Sequence, residues 1–130
     1  MSKILYSPVG DSLTSDFANL DPVTWSGPIY NNLPLPTGSG FWVTLNAATI
    51  FIRGITAAPH GTMLLIYHGA IVAGVWNIRF QHLHASGTVG NKLVLASSGS
   101  DVTLLRYRNI YLRYNETLDS GNGAWDVLSG

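Results

Sequence analysis

The stretch FWVTLNAATIFIRGI, residues 41–55, decides the fold class. Aromatic and β-branched residues alternate with small or polar ones until Gly54 breaks the run. Period-2 alternation of this kind places successive side chains on opposite faces of a strand. Further β-rich runs follow at roughly ten-residue spacing: TMLLIYHG (62–69), GVWNIRFQHLH (74–84), KLVLAS (92–97), DVTLLRYRNIYLRYN (101–115) and AWDVLSG (124–130). Turn chemistry bounds each one, as in Ala58-Pro59-His60-Gly61, Ser86-Gly87, Val89-Gly90-Asn91, Ser98-Gly99-Ser100 and Ser120-Gly121-Asn122-Gly123. Short strands separated by such turns predict an all-β, compact antiparallel sandwich or barrel-like body over residues 41–130, with almost no helix.

Upstream the texture differs. Five of the six prolines (Pro8, Pro22, Pro28, Pro34, Pro36) lie in the first 36 residues. Proline fixes φ and removes a backbone donor, so residues 1–40 read as an extended arm. Tyr6, Phe17, Trp25, Ile29 and Tyr30 give that arm too much apolar surface for a free linker. They are expected to dock, either on this chain's body or on a partner. On this division, deleting residues 1–36 should leave a folded body.

Charged residues make up only 11% of the 130-residue chain, and net charge is zero. An average soluble domain carries roughly 25% charged residues. A surface so poor in charge fits a compact β protein or one that buries surface against copies of itself. Zero net charge exerts no global pull on a polyanion or an anionic membrane. Six of the seven cations nevertheless fall within residues 51–114 with one acid, Asp101. Charge complementarity within or between subunits accounts for that unevenness better than a polyanion site. The chain has no cysteine, which excludes disulfides and thiolate chemistry and suits assembly in a reducing cytoplasm. The N-terminus does not read as a signal peptide, and the longest apolar run is too short to span a bilayer.

The body offers no Gly-x-Ser-x-Gly elbow, no close carboxylate pair and no phosphate-binding loop, so an enzyme is not expected and neither is a cofactor. His82 and His84 would share a face if RFQHLH were a strand, which makes them the metal candidates, short of a third ligand. A polar strand end is the alternative.

RYRNIYLRYN (106–115) raises the question of nucleic acid, with three arginines among three tyrosines. Read as one strand, Arg106, Arg108, Ile110, Leu112 and Tyr114 share a face, and Tyr107, Asn109, Tyr111 and Arg113 share the other. A single-strand binder wants cations and aromatics together on one open face. Only Tyr107, Tyr111 and Arg113 meet that demand, which favours an ordinary packed strand.

The order of features then resembles the small β-domains of tailed-bacteriophage structural proteins. It runs from Arg53-Gly54-Ile55 through His60-Gly61 and the strand Thr62 to Tyr67, then His68-Gly69 and Ile78-x-Phe80-x-His82. Ser86-Gly87-Thr88-Val89-Gly90-Asn91-Lys92-Leu93 and Ser100-Asp101-Val102-Thr103-Leu104 come next. It closes on Ile110-Tyr111-Leu112-Arg113-Tyr114 and Trp125-Asp126-Val127-Leu128. The resemblance covers residues 43–128. Lys92 stands where arginine is commoner, and His68 where asparagine is commoner. It implies a homotrimeric module of the virion, such as a capsid decoration (cement) protein, head fibre or tail fibre. The major capsid protein would be a partner, and Ile78, Phe80, Ile110, Leu112, Tyr114 and Trp125 would pack the trimer or body. The missing shaft favours decoration or a short head fibre. The alternative is a receptor-binding tip, where Trp76, Tyr107 or Tyr111 stacks on host glycan. A single-stranded nucleic-acid-binding barrel is the third reading.

Overall fold

A computed structural model of the chain describes residues 19–46, 49–71, 77–95 and 100–129. Nine strands occur among these residues, and no helix. They are β1 (Leu20–Trp25), β2 (Ile29–Tyr30), β3 (Gly40–Leu45), β4 (Ile50–Ile52), β5 (Met63–Ile71), β6 (Ile78–Phe80), β7 (Val102–Leu104), β8 (Asn109–Asn115) and β9 (Ala124–Ser129). Two sheets enclose the core, one ordered β1-β3-β5-β8-β9 and the other β2-β4-β6-β7.

The all-β expectation is met, but the antiparallel one needs correction. The β1–β3 and β3–β5 pairs are parallel, as are β2–β4 and β4–β6. The chain runs along the first sheet, crosses to the second, and returns through a further segment before laying the next strand beside the last. Leu33 pairs in parallel with Ile55 on that return segment. The result is a short stack of coils, the solenoid arrangement in which each turn buries its apolar face on its neighbours. Like residues stack: Val23 on Val43, Ile50 on Ile78, Ile52 on Phe80. The stack then changes sense. β8 pairs antiparallel to β5, β9 to β8, and β7 to β6. Period-2 alternation is the same in parallel and antiparallel strands, so the sequence pattern is silent on direction.

Both sheets supply the core. Phe41, Val43, Leu45, Leu64, Ile66, Ile110, Leu112 and Tyr114 come from one face, and Ile50, Ile52, Ile78, Phe80 and Leu104 from the other. Trp125 is completely buried and closes the side. Its indole N–H donates to the carbonyls of Ile55 (3.0 Å) and Thr56 (3.2 Å), and its ring meets Tyr114 edge-on at 5.4 Å. Tyr114 in turn donates its hydroxyl to the Gly90 carbonyl at 2.7 Å.

Residues 20–40 are not an arm. β1 and β2 belong to the two sheets, and Trp25 and Leu33 are core residues. Trp25 packs on Phe41 at 5.5 Å and on Tyr30 at 5.6 Å, so both aromatics dock on this chain's own body. A break at residue 40 would cut through the first coil. Deleting residues 1–36 would strip that coil from the core, so the truncated body is no longer expected to fold. Asp21 ties the turn between β1 and β3. Its carboxylate accepts from the backbone of Thr37 (2.8 Å) and Gly38 (3.1 Å) and from the Thr37 hydroxyl.

The position of this coil explains some of its prolines. The Trp25 carbonyl accepts from Asn46, so alternation turns the backbone of Leu20, Pro22 and Thr24 to the strand's other edge. That edge has no partner among the described residues. Leu33 likewise bonds inward to Gly54 and Thr56, which leaves the Pro34 nitrogen pointing away. Proline removes a donor where an exposed edge would invite another strand.

Candidate functional site

The outer face of the five-stranded sheet collects aromatic side chains in register. Pro22 lies beside Trp42, Trp42 beside Tyr67, and Tyr67 beside Asn109. The neighbouring row is Leu20, Gly40, Leu65 and Tyr111. Alternation dictates this placement: Phe41, Val43 and Leu45 point inward, which turns Trp42 and Thr44 outward. Trp42 is 41% exposed, and its ring meets Tyr67 edge-on at 4.6 Å and 61°.

A local irregularity seats the indole. Val43 pairs with His68 but Thr44 with Ala70, so Gly69 is an extra residue in β5. A Cβ at Gly69 would run into the indole nitrogen of Trp42. Only glycine permits that approach.

The stretch 106–115 is divided, contrary to the single strand expected. β7 ends at Leu104 and β8 begins at Asn109. Tyr107 adopts φ 66°, a left-handed conformation that no continuing strand tolerates. Its N–H donates to the His68 carbonyl (2.6 Å), while the Arg108 carbonyl accepts from the His68 N–H (2.9 Å). This pins the loop beside Tyr67 and Gly69. Tyr107 itself is 62% exposed, with the Arg106 guanidinium over its ring at 4.8 Å. From Asn109 onward the alternation holds. Ile110, Leu112 and Tyr114 turn to the core, and Tyr111 and Arg113 to the outer face, where Arg113 lies opposite Asp126.

The other expected sites fall as follows. Tyr6, Phe17 and Trp76 lie outside the described residues. Ile29 is exposed on β2, and Trp25 and Tyr30 pack inward. Ile78, Phe80, Ile110, Leu112, Tyr114 and Trp125 are all buried within the single chain, so they hold the body and offer no intersubunit surface.

His82 and His84 do not share a strand face. β6 stops at Phe80, and Leu83 between them has φ 45°, which destroys the alternation. Each imidazole Nδ1 accepts a backbone N–H, from Leu95 (2.9 Å) and Ser86 (3.0 Å) respectively. Among the described residues no cluster of three metal-ligating side chains occurs. Asp101 receives the His82 N–H at 2.9 Å and faces Arg79 at 3.8 Å. So exposed a pair contributes about 0–1 kcal/mol.

Trp42 and Tyr67 are not singled out by the sequence pattern as site residues. The signal was present, since alternation in FWVTL sets Trp42 apart from its apolar neighbours. What it lacked was the parallel stacking that brings Trp42 and Tyr67 side by side.

Chemically, the face offers ring surfaces next to hydroxyl, amide and guanidinium groups. Comparison with family models, curated proteins and solved structures finds no match to this chain.

Proposed function

We propose that the chain is a non-enzymatic structural protein of a bacteriophage virion, a homotrimeric capsid decoration protein or short head fibre. The observation that supports this reading is a charge-poor β-body that fills its own core yet keeps Ile29, Leu35, Val89 and Leu105 at the surface. A surface poor in charge suits contact with other subunits, since the centres of such interfaces are depleted in charged residues. The coil stack, closed by the β8–β9 hairpin, suits a mechanical role, because each coil is hydrogen-bonded to the next along its length. The phage-like order of features in residues 43–128 supplies the biological setting.

The test is native mass by light scattering at low and high salt, with co-sedimentation on purified phage heads. The expected result is three times the 14.0 kDa chain at both salts, and binding to heads. A monomer that ignores heads would remove the proposal. The second reading, a receptor-binding tip, is favoured by the exposed rings of Trp42 and Tyr107.

A further inference from the structure

An exposed tryptophan is commonly a loose surface side chain. Trp42 is held instead. Its pyrrole edge rests on the backbone of Gly69, and Tyr67 meets its ring edge-on. The β5 bulge that supplies Gly69 also presents the backbone of His68, which fixes the Tyr107–Arg108 turn alongside. A bulge, a bare glycine and a strained turn therefore converge on one outward-facing indole. Bulges of this kind re-aim side chains beside functional sites.

The surroundings of the indole narrow the ligand. Thr24 and Thr44 stack beside Pro22 and Trp42, and Asn109 follows Tyr67 in the ladder. The apolar row beside the indole is largely covered, since Leu20, Gly40 and Leu65 are buried, whereas hydroxyl and amide groups flank the exposed indole itself, which suits a polar ligand better than an apolar protein surface. Stacked nucleobases would be matched by successive open ring faces, whereas Trp42 and Tyr67 stand at 61°. A pyranose ring matches the remaining pattern. Its C–H face is apolar and covers an indole, and its rim of hydroxyls needs amide and hydroxyl partners within reach.

We infer that the outer sheet face centred on Trp42 is a glycan-binding site. The indole stacks against one sugar ring, Tyr67 walls one side, and Asn109 and Thr44 meet the hydroxyls. This goes beyond the proposed virion role and deepens its second reading by naming the site. The virion role and the sugar site can fail separately.

The full-length chain is applied to an array of bacterial polysaccharides and oligosaccharides. The best-retained glycan is then titrated by isothermal titration calorimetry against the wild type, Trp42→Ala and Gly69→Ala. Because the side chain of Trp42 is on the surface, its removal should leave the circular dichroism spectrum intact. We expect at least one retained glycan, a loss of affinity of about tenfold or more in Trp42→Ala, as for removal of a buried anchor, and a comparable loss in Gly69→Ala, where the indole remains but is displaced. No retained glycan, or binding indifferent to Trp42→Ala, would overturn the inference. So would preferential retention of oligothymidylate that disappears with salt. Incorporation of Trp42→Ala into virions, measured in parallel, reports on the virion role alone.

Discussion

Trp125 joins the last strand to the second coil, and its removal is the sharpest test of how the body closes. The side chain is fully buried and packs on Tyr114. Truncating a buried aromatic to alanine costs about 3–5 kcal/mol, the loss of transfer energy plus the cavity left behind. The carbonyls of Ile55 and Thr56 lose their indole donor as well, and one such bond has a net worth of about 0.5–1.5 kcal/mol. Main-chain bonds from Trp125 to Lys92 and from Val94 to Trp125 survive the substitution, so the strand itself has no reason to detach. A domain is stable by only about 5–15 kcal/mol in total, so Trp125→Ala should lower the urea midpoint strongly. Trp125→Phe keeps most of the packing and loses the donor, and is expected to cost about 1–3 kcal/mol. Far-ultraviolet circular dichroism is the appropriate probe because the substitution removes a fluorophore. A cost below about 1 kcal/mol for Trp125→Ala would falsify the account of Trp125 as the closure. Equal costs for both variants would locate the effect in the hydrogen bonds and not in the packing.

Two further outcomes follow from the first coil. The hydrogen bond from the Thr37 backbone holds the Asp21 carboxyl below its ordinary value of 3.8; desolvation opposes it, and the bonds from the Thr37 hydroxyl and the Gly38 backbone add to the lowering. A carboxylate with a depressed folded pKa contributes stability above the ordinary value and loses it as pH falls through 3.8 toward the lower folded value. Asp21→Asn should therefore flatten the acid limb of the stability profile, read from urea midpoints at neutral pH and at about pH 3; an unchanged limb would remove Asp21 from the turn. Pro22→Val restores a donor to the middle of the outer β1 edge. It should promote concentration-dependent association in light scattering, and an unchanged mass at high concentration would show that the edge is protected by other means.

Local chemistry made much of this protein legible. Alternation in FWVTL and NIYLRY fixes which residues turn inward, because a strand's side-chain period depends only on its own backbone. Glycines in the expected turns take positive φ, at Gly61, Gly90, Gly121 and Gly123, where other residues would strain. The pattern misleads where a residue departs from its neighbours for reasons lying elsewhere in the chain. Tyr107 looks like a strand residue, yet its hydrogen bond to His68 turns it left-handed and splits β7 from β8. His82 and His84 look paired, but Leu83 turns the chain between them.

What the tertiary structure alone decided is direction and neighbourhood. Parallel stacking is a property of the returns between strands, and no period within a strand encodes it. That stacking draws Trp25 and Leu33 into the core, turns the Pro22 and Pro34 nitrogens away from the described ladders, and sets Trp42 against Tyr67 and Gly69. The sequence by itself determined strands, turns and the faces they present. Assembly of those faces into coils, and with it the outward aromatic surface, depends on contacts between residues far apart in the chain.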